Sequence, residues 1–274
     1  MRIKVESLHY DTMFKKAFRH VELFTGLVKD FTGIQLEIDE VQHDKVFDKP
    51  IGRVKTKFDL FAEDKKNRII VEAQHANYSD NFSRFLYYHY CAIVELIASS
   101  KNYEFPMTVI TLVFFTNKNS PSPDSGIFVF DTAAAKDFIT GKVINNVVDC
   151  QHKVFYVFTK DYAHQNTPDA CRNWMEAITD TLDESADDDY YDNPLVKQLF
   201  QIISKDQTTS EERAKMKDEF NQKLVEMNAF EKGEKIGRTA EKIENARNFK
   251  ALGKLTAEEI ANVTGLTLEE VQAL

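Results

Sequence analysis

Residues 57–74 read KFDLFAEDKKNRIIVEAQ, and this stretch holds the residue types and spacing most able to do chemistry. Two apolar runs flank a polar turn at Glu63–Asn67, which predicts a β-hairpin. If the hairpin is centred on Lys65–Lys66, Asp59 falls opposite Glu72. Side chains alternate along a strand, so Glu72 and Gln74 share one face while Val71 and Ala73 share the other. Directly opposed side chains lie about 4.5–5.5 Å apart at Cβ. Two carboxylates that close repel one another, and in an apolar strand pair one of them holds a proton. A divalent cation between them removes the conflict. Mg²⁺ suits such a pair, because it accepts one or two carboxylates and keeps several waters. A site of this kind hydrolyses a phosphodiester, with Gln74 placed to orient the attacking water. The same spacing also fits ordinary polar residues on the wet face of an antiparallel sheet.

The elements that must position these residues can be read from the flanking periodicities. Apolar residues at three- and four-residue steps predict one amphipathic helix over Tyr10–Thr32, capped by Asp11 or Thr12. Strands are expected at Ile34–Val41, Val54–Ala62 and Arg68–Gln74. A long aromatic helix should follow, from a cap at Ser79 or Asp80 to about Ser99. Met107–Thr116 reads as a buried strand, Asn117–Gly126 as a loop, and Ile127–Phe130 and Val154–Phe158 as short strands. On the aromatic helix, Arg84 can share a face with Tyr87 or Tyr88. Arg84 is then a phosphate contact, or the one arginine that a core helix snorkels to its surface. His75 points away from Gln74 and reads as structural. His43 and His89 have no ligand partner at a recognisable spacing.

Beyond Asp169 the chain turns helical and charged. Residues 211–250 are rich in Glu, Lys and Ala and lack a sustained apolar seam, which predicts a solvated helix rather than a coiled coil. At the end, Thr256-Ala-Glu-Glu259 and Thr267-Leu-Glu-Glu270 fit two capping boxes around Gly265. A helix-turn-helix that reads DNA is disfavoured there, since glutamates near the second helix's start would repel phosphates. Docking or self-association through Leu255, Ile260, Val263, Leu266 and Val271 is the expectation instead.

The combination of motifs resembles the PD-(D/E)xK nuclease superfamily. It is most similar to the branch of transposase-like, Rpn-type recombination-promoting nucleases, whose third motif reads Glu-x-Gln. The resemblance rests on Asp59 with Glu72-x-Gln74, on Asp11-x-x-Phe14-Lys15, and on the tyrosine-rich helix with Arg84. It extends to EKGEKIGR (Glu231–Arg238) and to the terminal LTAEEIANVTGLTLEEVQAL. It implies an α/β fold with a mixed sheet between helices, over residues 1–230, and a charged helical extension over 231–274. It further implies Mg²⁺- or Mn²⁺-dependent DNA cleavage, with metal held by Asp59, Glu72 and the Ala73 carbonyl. The superfamily's lysine position falls on Gln74, which cannot stabilise developing charge as an ammonium does. Lys57, two residues before Asp59 on the same strand face, is the candidate to supply that charge. An inactive scaffold on the same fold is the alternative.

Composition limits the choices. Lys+Arg number 35 against 44 Asp+Glu, a net charge of −9, which counts against a protein that coats DNA non-specifically. The basic residues concentrate between Lys45 and Arg68, as Lys45, Lys49, Arg53, Lys55, Lys57, Lys65, Lys66 and Arg68, a candidate nucleic-acid face. Three cysteines with no CxxC spacing argue against a disulfide framework and a thiolate zinc site. No apolar run reaches the roughly 18–20 residues of a membrane span, and the start shows no signal-peptide pattern, so a cytoplasmic location is expected.

Overall fold

The structure, a computed structural model, describes residues 2–47, 54–75, 81–98, 104–122, 124–132, 135–144 and 150–274. In chain order the elements are β1 (Arg2–Lys4), α1 (Asp11–Phe18), α2 (Val21–Thr32), β2 (Gln42–Lys45), β3 (Phe58–Glu63), β4 (Asn67–Gln74), α3 (Asn81–Ala98), β5 (Thr108–Phe115) and β6 (Ile127–Asp131). After these come β7 (Ala135–Lys136), β8 (Val143–Ile144), β9 (Lys153–Phe158), α4 (Asp169–Asp180), β10 (Ser185–Asp187), α5 (Pro194–Ile202), α6 (Ser210–Leu252), α7 (Ala257–Thr264) and α8 (Leu268–Ala273). They fall into two compact units, Met1–Met216 and Lys217–Leu274. The expected caps Ser79 and Asp80, and the basic residues Lys49 and Arg53, lie outside the described residues.

The first unit is mixed α/β. Its main sheet has six strands in the order β2-β3-β4-β5-β9-β6. The β2–β3 and β3–β4 pairs are antiparallel, β4–β5 and β5–β9 are parallel, and β6 runs antiparallel to β9. The parallel β4–β5 step requires a crossover, and α3 lies within that connection. Near-continuous apolar runs in β4 and β5 follow from this position, since strands at the centre of such a sheet are covered on both faces. One layer holds Met13, Phe14, Leu23, Phe24, Leu27, Trp174, Ile178 and Leu199 against Leu60, Ile69, Val71, Leu112 and Phe114. On the other face, Ala92, Ile93 and Leu96 of α3 pack with Phe58, Phe61 and Ile70, and Phe85 packs with Val113, Phe115 and Tyr156.

Three expected elements differ, the first being the strand foreseen at Val54–Ala62, which is regular only over Phe58–Glu63. The helix foreseen over Tyr10–Thr32 is two helices, broken at Arg19–His20, where His20 is extended at φ −70°, ψ 122°. The buried residues Met13, Phe14, Ala17 and Phe18 are out of phase with Leu23, Phe24, Leu27, Val28 and Phe31. The offset is most of one residue's ~100° step, so a single straight helix could not bury both sets on one side. Tyr10 is the cap residue and Asp11 the first helical one. The strand foreseen at Ile34–Val41 is irregular, although Ile34, Leu36, Ile38 and Val41 all pack on the core. The pairing strand starts one residue later, at Gln42.

In the second unit, α7 and α8 form a small helical core with the end of α6. Ile260 and Val271 are buried with Ala246, and Phe249, Ala257, Ala261, Leu266 and Leu274 pack around them. Both capping boxes are present, with Thr256 and Glu259, and Thr267 and Glu270, satisfying each other's backbone N–H groups. Lys242 donates to the Gly265 carbonyl at 3.3 Å, and Lys250 to that of Val271 at 3.3 Å. Gly265 closes α7 in the left-handed region at φ +65°. Of the apolar side expected to dock elsewhere, Ile260 and Val271 are buried and Leu266 packs against them within this unit, while Leu255 and Val263 stay 38% and 65% exposed.

Candidate functional site

The β3–β4 register pairs Leu60 with Val71, Phe61 with Ile70, Ala62 with Ile69 and Glu63 with Arg68, the pairing expected from a turn at Lys65–Lys66. Continued by one step, it sets Asp59 opposite Glu72. The Asp59 N–H donates to Glu72 Oε1 at 3.3 Å, and the Ala73 N–H donates to Asp59 Oδ2 at 3.3 Å. On the other side β2 pairs with β3 through Gln42–Phe61, His43–Leu60 and Lys45–Phe58, a register that puts Asp44 opposite Asp59. Three carboxylates thus stand in a row across three strands: Asp44, Asp59 and Glu72. Asp44 holds a positive φ of 53°, a left-handed conformation that aspartate tolerates better than most residues.

The charges in this row are settled unequally. Glu72 is 4% exposed, and burial, followed by the negative charge of Asp59, raises its carboxyl well above the ordinary value. Asp44 goes the other way: burial pushes it up, but hydrogen bonds from Lys15, Lys57 and His43 hold it well below the usual carboxylate range. The dominant cation is Lys15, on α1. Its ammonium lies 2.7 Å from Asp11 Oδ2, 2.8 Å from Asp44 Oδ1 and 3.1 Å from Asp59 Oδ1. Burial works against this charge, but Asp59 and Asp11 more than compensate and keep it protonated.

Lys57, the residue foreseen to supply charge beside Asp59, ion-pairs instead with Asp44 at 2.8 Å and is largely exposed. Gln74 is buried at the carboxyl end of β4, and its Oε1 accepts a hydrogen bond from Arg84 Nη2 on α3. Arg84 also lies over the Phe85 ring, 4.5 Å from its centroid. So Asp59 and Glu72 come together, and Gln74 comes together with Arg84, all at one end of β4. Tyr88, half-buried between the rings of Phe58 and Phe85, completes the wall; burial, then the nearby Glu72, raises its hydroxyl pKa. His75 contacts the Thr116 hydroxyl through Nδ1 at 2.8 Å, beside the His9 ring. His89 and His152 are buried, and neither faces the acids.

Sequence reasoning missed Lys15 and Asp44 as partners of Asp59. The i,i+4 spacing of Asp11 and Lys15 was the one local signal. Its meaning depends on α1 lying over the start of β3, which no spacing records. Arg68 was counted with the basic face, yet it is 5% exposed, bridges Glu63 and Glu95, and donates to the Ala92 carbonyl at 2.8 Å.

The donor set can be tested against a hard divalent ion. Among the described residues no group of three or more His, Cys, Asp or Glu side chains is disposed to hold a metal. Asp59 and Glu72 instead offer two carboxylates. Because the Ala73 N–H points toward β3, its carbonyl in extended backbone points to the same side. Two carboxyl groups and one carbonyl are hard oxygen donors of the kind Mg²⁺ takes. The carboxyl ends of parallel strands in open α/β sheets are also where ligand crevices form. Compared with protein-family models, with curated proteins and with solved structures, the chain finds no match in any of the three. The class that fold and geometry define is a mixed α/β protein, with a six-stranded sheet flanked by helices and an acidic row at the end of its central strands.

Proposed function

We propose that this protein is a metal-dependent DNA endonuclease with a PD-(D/E)xK-type core, acting with Mg²⁺ or Mn²⁺. The observation that carries the reading is the Asp59–Glu72 pair: two carboxyls meet across adjacent strands, and that of Glu72 is buried there. Asp59, Glu72 and the Ala73 carbonyl would hold the ion, which when bound supplies Lewis-acid polarisation of a phosphate oxygen and a water of lowered pKa. The chain's own part is to bind and orient. Arg84, fixed by Gln74 and by the Phe85 ring, presents a guanidinium to a phosphate. Gln74 acts through Arg84, since its amide oxygen is already engaged.

One observation favours a second reading, a non-cleaving binding protein on the same fold. Lys15 already neutralises Asp59, as a structural ion pair would. Plasmid nicking separates the two. The nuclease reading expects nicking with Mg²⁺ or Mn²⁺, none with EDTA, and a loss of about a hundredfold or more in Asp59→Ala and Glu72→Ala. Cleavage that survives both substitutions, or no cleavage with either metal, overturns it.

A further inference from the structure

The metal-site reading leaves one charge unexplained: the Lys15 ammonium, which sits where a positive ion is most needed. We propose that Lys15 is a built-in counterion that exchanges with a divalent cation at Asp59. This rests on the reading of Asp59 and Glu72 as metal ligands.

Three carboxylate oxygens from three elements converge on the Lys15 Nζ at 2.7, 2.8 and 3.1 Å. The helix that carries it cannot drift, since Met13, Phe14, Ala17 and Phe18 anchor α1 in the core. Without a cation here, Asp44 and Asp59 would stand as adjacent like charges across β2 and β3, an arrangement that destabilises a sheet. Lys57 relieves Asp44 alone. Lys15 is therefore the cation that stands between Asp44 and Asp59, at 2.8 and 3.1 Å. A Mg²⁺ ion needs carboxylate oxygens at about 2.0–2.1 Å. An oxygen so engaged has little attraction left for an ammonium, and two cations sharing it repel. Ion binding thus draws Asp59 Oδ1 away from Nζ, while Asp11 and Asp44 keep hold of Lys15. Lys57 touches Asp44 and has no such competition with the ion.

The test is binding, not cleavage. Mn²⁺ is titrated into the full chain and free Mn²⁺ is followed by its paramagnetic resonance signal, for the wild type, Lys15→Met and Lys57→Met. Exchange predicts that Lys15→Met binds Mn²⁺ at least about tenfold more tightly, and that Lys57→Met changes affinity less than about threefold. Equal effects of the two substitutions, or weaker binding in Lys15→Met, overturn the proposal. Should Lys15→Met fail to fold, the wild type still decides. The ¹⁵N resonance of the Lys15 ammonium, hydrogen-bonded to Asp11 and Asp44 and ion-paired with Asp59, should shift and broaden as Mg²⁺ is added. An unchanged resonance at saturating Mg²⁺ overturns exchange while leaving the metal site standing. No Mn²⁺ binding in any of the three proteins overturns both.

Discussion

His89 and His152 show what burial does to a titratable side chain away from the acidic row. His89 is fully buried; its Nδ1 meets the Thr111 hydroxyl at 2.9 Å, and its ring lies 6.5 Å from that of His152. Burial, and then the proximity of His152, pushes its pKa down to about 3. The His152 Nδ1 accepts the Val109 N–H at 2.9 Å, which requires that nitrogen to be unprotonated, and burial lowers its pKa too. Both groups are neutral in the fold and charge readily when unfolded, where an ordinary histidine titrates near 6.5. Because the folded values are depressed, their contribution to stability is fully present above about pH 6.5. It is lost as pH falls from there toward the folded values. Urea unfolding at pH 7 and pH 4 should show a loss on the order of 3 kcal/mol from His89. His89→Gln, which keeps a polar partner for Thr111, should lose less over the same interval. An equal loss in the variant would put the acid sensitivity elsewhere. Arg68 is the complementary case, a buried cation held by Glu63, Glu95 and the Ala92 carbonyl. Arg68→Met strands partners at the β4–α3 contact and should cost about 3 kcal/mol in the same assay.

At the scale of elements, what could be read in advance depended on whether the signal was local. The β3–β4 register was legible because turn residues and strand periodicity both lie within residues 57–74, and one residue of slippage would have turned Ile69 and Val71 to the opposite face. Both capping boxes were legible for the same reason. Alternation at Ile34, Leu36 and Ile38 reported burial correctly but not pairing, since an irregular segment can also press alternate side chains on a core. The break between α1 and α2 was hidden in a phase slip that two merged apolar stripes concealed. The acidic row was half legible: Asp59 and Glu72 share a hairpin, whereas Asp44 and Lys15 reach Asp59 only through tertiary placement. A cap is the element-scale feature most directly open to test. Thr256→Ala removes the side chain that accepts the Glu259 N–H and should cost about 1 kcal/mol. The loss should appear as faster amide exchange within α7, with exchange in β3–β5 unchanged.

Across the whole molecule, the apolar core is distributed unevenly between the two units. The net charge is −9, and with Arg68 buried the basic stretch before it offers fewer surface cations than its composition suggests. Among the described residues no helix is long and apolar enough to cross a membrane. The first unit is built around a six-stranded sheet with apolar clusters on both faces. The second has a single cluster, in which Ala246, Ile260 and Val271 are the buried members. Stability follows buried apolar surface, and regions with few such contacts open at lower free energy than the global transition. Phe220, Val225, Met227, Phe230 and Ile236 of α6 are more than half exposed and add little to either core. Thermal unfolding should therefore proceed in two steps, the smaller and earlier from α7, α8 and the end of α6. Val271→Ala deletes methyl groups from the centre of that small cluster and should move only the early step, leaving the main transition within about 1 °C. Calorimetry resolves the two. A single transition, or a main transition that shifts together with the early one, would mean that the units unfold as one cooperative body rather than each on its own core.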